Sequence, residues 1–120
     1  MINEGDNAIY FKMPIDDENF VTLDSFPDNN IVLYFYPKDD TPGCTSEAID
    51  FTSHINAFNE CKTKIIGVSA DSISKHKKFI ENHQLEVTLA SDEAKKVWED
   101  YGVWIEKSMY LSLIHISEPT

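Results

Sequence analysis

Reactive chemistry in this chain centres on one cysteine. The run FYPKDDTPGCTSE, residues 35–47, puts Cys44 directly after a strand-like apolar stretch and in the first turn of the helix that follows. Free N–H groups and the positive end of the dipole gather at such a helix start and favour the thiolate, the nucleophilic form of the side chain. Taken alone, the same position is equally compatible with a buried, inert thiol. The other thiol, Cys61, is seventeen residues away with no CxxC spacing, so the pair makes a poor zinc site. His54, His76, His83 and His115 are no more than loose candidate ligands, and no metal or other cofactor is expected.

The elements around Cys44 follow from hydrophobic pattern. IYFKM and FVTL flank the acidic turn Asp16, Asp17, Glu18, Asn19 and predict a β-hairpin. Ile31 to Tyr36 is continuous in β-branched, aliphatic and aromatic residues and stops at Pro37, as a central strand buried on both faces does. Thr41 and Pro42 give a helix start, and Ala48, Ile49, Phe51, Ile55 and Phe58 predict a helix from Cys44 to about Glu60. A strand over Lys64 to Ala70 precedes a helix capped by Ser72, with Ile73, His76, Phe79 and Ile80 on one face. A last unit predicts a strand over Glu86 to Ala90, a cap at Ser91 or Asp92, and a helix from Ala94 to Tyr101 ended by Gly102. Strands alternating with helices at these lengths define an α/β fold, a largely parallel sheet covered by helices. The histidines, His76 included, Trp98, Trp104 and the cluster Lys75, Lys77, Lys78 read as helix surface and core edge.

With 120 residues and 42% hydrophobic content the chain can build one core and not two. All ten basic residues are lysines and the net charge is −11, a field that repels nucleic acid and anionic membranes. No apolar run approaches the roughly 18 residues of a membrane span, and no cationic leader opens the chain. A soluble, cytoplasmic protein with reduced thiols is the expectation.

Pro37, Thr41 and Cys44 form the spacing PxxxTxxC, and TPGCTSEA, IIGVSADSISKHKKF and YGVWIEKSMY extend the pattern. Over residues 5–110 the sequence resembles the peroxiredoxins, in particular the bacterioferritin-comigratory, or Q-type, subgroup. The resemblance implies a thioredoxin-like fold and a thiol-dependent peroxidase in which Cys44 attacks a hydroperoxide and becomes a sulfenic acid. It implies that Thr41 orients the peroxide, that the N–H groups of Gly43 and Cys44 stabilise the stretching O–O bond, and that Pro37 shields the sulfur. Pro37 is equally compatible with merely ending its strand. Glu47 would help hold an arginine that pairs with the thiolate; its alternative is a solvated first-turn carboxylate. The chain contains no arginine. In the family that residue belongs to a strand beyond Tyr110, so weak or no activity is expected of the 120 residues alone. Residues 111–120, LSLIHISEPT, break from the family pattern and resemble a translated adapter used in DNA library preparation, so the expected domain is residues 1–110 and the rest a non-native tail.

Many Q-type members carry a second cysteine five residues after the first, where this chain has Ile49. The reductant expected is therefore external, a thioredoxin, a glutaredoxin or a low-molecular-weight thiol, acting on a monomer or weak homodimer. Rival readings are a thioredoxin-fold thiol-disulfide exchanger, which would need CxxC, and a non-catalytic binding domain, which would not need PxxxTxxC. An unbroken helix would separate Cys44 from Cys61 by about 25 Å at 1.5 Å per residue, against the roughly 7 Å that a disulfide allows. Non-reducing mass spectrometry after one equivalent of peroxide is expected to show no Cys44–Cys61 peptide within one chain, and finding one would contradict this spacing.

Overall fold

The structure, a computed structural model, describes residues 10–26, 29–36, 38–39, 41–101 and the backbone of 112–116. The predicted hairpin is present as β1 (Lys12–Pro14) and β2 (Phe20–Thr22), an antiparallel pair forming its own small sheet. Its turn is closed by Asp16, whose Oδ1 accepts from the backbone N–H groups of Glu18 and Asn19 at 2.8 Å each. Such a local carboxylate bond is why acidic residues and asparagine favour turns.

The main sheet has β3 (Asn30–Phe35) at its centre, flanked by β4 (Thr63–Ser69) and then β5 (Thr88–Ser91), all parallel. On the other side of β3 lies β6 (Ser112–Ile116), antiparallel, with Leu33 opposite Ile114. Among the described residues the expected largely parallel sheet is thus three parallel strands and one antiparallel. Residues 112–116 belong to the segment read as foreign, and such backbone pairing is open to any strand-forming sequence.

Alternation along β3 divides the core in two. Ile31, Leu33 and Phe35 face Ile66, Val68 and Ala90, together with the hairpin's Phe11, Met13 and Val21 and with Val97, Trp98 and Tyr101. Val32, Tyr34 and Tyr36 face the opposite way, toward Ala48, Phe51, Phe79 and Leu89. A strand with both faces covered needs apolar residues at successive positions, which explains the unbroken run in the sequence.

Among the described residues four helices cover the sheet: α1 (Pro42–Ser53), α2 (Ile55–Glu60), α3 (Ile73–His83) and α4 (Lys96–Asp100). The single helix expected from Cys44 to Glu60 is broken at His54. Ser53 Oγ donates to the Asp50 carbonyl at 2.9 Å, and His54 Nδ1 bonds the same oxygen at 2.9 Å. The carbonyl that should accept the His54 backbone N–H is thereby occupied, and that N–H turns to Phe51 O instead. Helix α3 begins as expected, with Ser72 Oγ accepting from the Lys75 N–H at 3.3 Å. Helix α4 is shorter than expected, because Lys95 takes a left-handed conformation just before it and Asp92 Oδ2 caps it by accepting from the Trp98 N–H. Trp98 is a core residue rather than an edge one, edge-on to Phe35. Gly102, Trp104 and residues 105–110 lie outside the described residues.

Gly67 fits an unusual place in β4. Its register partner Tyr34 lays its ring across the strand, and a Cβ on Gly67 would come within 2.6 Å of the Tyr34 ring end and 2.8 Å of Leu89. A glycine in a strand interior commonly marks such a close approach. Gly67→Ala is expected to cost about 1–3 kcal/mol by overpacking, read as a lower urea midpoint. An unchanged midpoint would show that the two side chains move aside freely.

Candidate active site

Cys44 lies in the first turn of α1, behind Pro42 and Gly43. Proline suits that opening position because it has no N–H to leave unpaired. Thr41, in extended conformation, is the residue before the helix, and its carbonyl accepts the first helical bond from the Thr45 N–H at 2.8 Å. Among the described residues the N–H groups of Gly43 and Cys44 have no acceptor, as expected for a helix start. Cys44 is half-buried and packs against the Tyr34 and Tyr36 side of the core. Its sulfur thus combines an apolar backing with the donor-rich end of a twelve-residue helix.

The Thr41 hydroxyl does not cap the helix. It donates to the Lys38 carbonyl at 3.1 Å, which leaves its oxygen lone pairs able to accept from a hydroperoxide O–H. Glu47 lies one turn beyond Cys44 and is half-buried. Burial foremost, and then the nearby charges of Asp39, Glu47 and Cys44, push the Tyr34 phenol far above its ordinary range. Four of the five residues singled out in the sequence, Thr41, Gly43, Cys44 and Glu47, therefore meet at one helix start. The fifth, Pro37, lies outside the described residues.

Sequence reasoning assigned little weight to His76, and the structure gives it more. Its ring is fully buried at 0% exposure, with Nδ1 2.7 Å from Asp39 Oδ2 and Nε2 3.1 Å from the Ala90 carbonyl. Asp39, 8% exposed, accepts from the Tyr36 hydroxyl through Oδ1 at 2.6 Å. Burial first, and then the Asp39 charge, push the Tyr36 phenol far up, so it remains a donor. The Asp39 backbone N–H donates to Asp71 Oδ2 at 2.6 Å, and that oxygen also accepts from Ser69 Oγ. A signal existed in the sequence: His76 shares a face with Ile73, Phe79 and Ile80, and a polar ring facing a core must find buried partners.

The spacing from Cys44 makes Cys61 a helix-end packing residue rather than a disulfide partner, but although it does follow α2, that helix fully buries none of its residues and the thiol is exposed. Ile49, at the position where many Q-type relatives carry a second cysteine, is 43% exposed. The lysine cluster is a surface feature as expected, with Lys77 Nζ 2.8 Å from Asp17 in the hairpin turn. Among the described residues no group of three or more His, Cys, Asp or Glu could hold a metal ion. No described helix is long and apolar enough to cross a membrane.

The AhpC/TSA family profile matches residues 5–118. The chain belongs to the AhpC/TSA family. It is 38% identical over 109 residues, 91% of its length, to a putative peroxiredoxin bcp of Coxiella burnetii, of which it covers 72%. It is 45% identical over 103 residues to the peroxiredoxin Bcp of Bacillus subtilis, covering 86% of this chain and 66% of that protein. A solved structure of the bacterioferritin comigratory protein of Xanthomonas campestris, described for its alkyl peroxide reduction activity, superposes with a TM-score of 0.76 at 33% identity. That match covers 88% of this chain and 67% of the other. The AhpC/TSA chain therefore carries the thioredoxin-like peroxiredoxin fold that its motifs implied, and spans about two thirds of the length of these relatives.

Proposed function

We propose that the chain carries the peroxide-reducing centre of a thiol-dependent peroxidase of the Bcp/Q type, with Cys44 as nucleophile. The observation that carries this reading is the position of a half-buried thiol at the start of α1 beside the Thr41 hydroxyl and two N–H groups that have no acceptor among the described residues.

In this mechanism the Cys44 thiolate attacks the terminal oxygen of a hydroperoxide. An S–O bond forms as the O–O bond breaks, the electron pair leaves with the alkoxide or hydroxide, and that oxygen takes a proton from solvent. Cys44 is oxidised to a sulfenic acid and the peroxide is reduced to an alcohol or water. Thr41 accepts from the peroxide O–H and so orients it, while the Gly43 and Cys44 N–H groups donate to oxygen as charge builds. Glu47 and Pro37 are positioning residues on this reading, Pro37 by excluding water from the sulfur.

An external thiol then attacks the sulfenic sulfur, forming a mixed disulfide and releasing water, and a second thiol releases Cys44 reduced. The break at His54 removes the unbroken-helix spacing between Cys44 and Cys61, so the external partner rests on the missing CxxC spacing and on Ile49 standing five residues after Cys44. Thioredoxin, glutaredoxin or a low-molecular-weight thiol fits the role, in a cytoplasmic monomer or weak homodimer. Lacking an arginine to pair with the thiolate, the 120 residues are expected to turn over more slowly than their relatives.

Brief exposure to dilute peroxide with dimedone present, followed by peptide mass analysis, tests the reading. The adduct is expected on Cys44 well before Cys61 and to vanish in Cys44→Ser. Equal labelling of the two thiols would contradict it.

A further inference from the structure

We infer that His76 is a positioning residue for the reaction of Cys44, clamping the loop between β3 and α1 through the carboxylate of Asp39; this rests on the peroxidase reading above. The Ala90 carbonyl can only accept, so His76 Nε2 carries a hydrogen and the ring is held from β5. Its Nδ1 then points at Asp39 Oδ2, on the segment leading to the active cysteine. The other oxygen of Asp39 takes the Tyr36 hydroxyl, so the carboxylate joins the end of β3 to α3.

The loop carries that restraint forward over a short distance. Asp39 is two residues before Thr41, and the carbonyl of its neighbour Lys38 receives the Thr41 hydroxyl. The Thr41 carbonyl receives the Thr45 N–H that begins α1. Asp71 adds a second tie, accepting from the Asp39 N–H while its own carbonyl takes the Ser91 hydroxyl at 2.6 Å. If the clamp is released, the Thr41 oxygen and the first-turn N–H groups lose their placement relative to Cys44 Sγ. Misplacement on the order of 1 Å costs up to about a hundredfold in rate.

Two substitutions separate clamping from plain stability. In His76→Asn the amide nitrogen lies near the place of Nδ1 and can donate to Asp39, without reaching Ala90. In His76→Gln the amide reaches Ala90 and loses Asp39. Both are expected to lower the urea midpoint. His76→Asn should keep the second-order rate of Cys44 with hydrogen peroxide within about threefold, whereas His76→Gln should lose about tenfold or more. Amide hydrogen exchange over residues 38–46 should rise in His76→Gln and stay near the parent in His76→Asn. Rates that fall in step with stability in both variants, or exchange unchanged in His76→Gln, would overturn the clamp. If Cys44 of the parent reacts no faster than Cys61, the peroxidase reading fails, and the exchange pattern alone decides the clamp. Should His76→Gln not fold, Asp39→Ala takes its place with the same expected losses, because no group is then left to join Tyr36 to His76.

Discussion

A buried carboxyl group costs several kcal/mol unless hydrogen bonds replace its hydration, and Asp39 has one from the Tyr36 hydroxyl and shares another with His76 Nδ1 at 2.7 Å. Each of these partners comes from a different element, Tyr36 from the end of β3 and His76 from α3, while the Asp39 backbone is held by Asp71 before α3. Satisfying one buried side chain thus fixes where β3 ends, how α3 lies on the sheet and how the chain enters α1. The helix start that presents Cys44 is the last member of that series.

The sheet supplies the rigid frame. Because β3 is paired on both sides and packed on both faces, its end is held in place, and the loop that leaves it needs only a few bonds to be oriented. Packing and polar bonding share the work: the apolar core places the elements, and the Asp39, Asp71 and His76 bonds set the loop between them. A polar network of this kind is strong when every member is satisfied and costly when one is removed. Tyr34 marks the other extreme, a buried hydroxyl with no partner among the described residues, accommodated because Gly67 leaves room for its ring.

Much of this was legible in the residue order. The run from Ile31 to Tyr36, the Thr41 and Pro42 start and the Ser72 cap each state a local preference that the packing agrees with, so sequence and structure coincide there. Thr41, Gly43, Cys44 and Glu47 are close in sequence, so the opening two turns of α1 bring them together whatever their roles. The break at His54 was harder to see, because it depends on two side chains competing for a single carbonyl rather than on hydropathy. The short α4 depends on Asp92 reaching across a left-handed Lys95. Asp39 and His76 lie 37 residues apart, and no local pattern pairs them; only the burial of a histidine on an apolar face hinted at a partner.

The central claim is that the fold, and not the thiol alone, makes Cys44 reactive. It is tested most directly in a Cys61→Ser chain, whose single thiol can be followed as it is lost to hydrogen peroxide in native buffer and in unfolding urea at the same pH. The account predicts that the folded chain reacts faster by at least about tenfold, the scale expected when aligned donors are lost. Equal rates in the two conditions would contradict it.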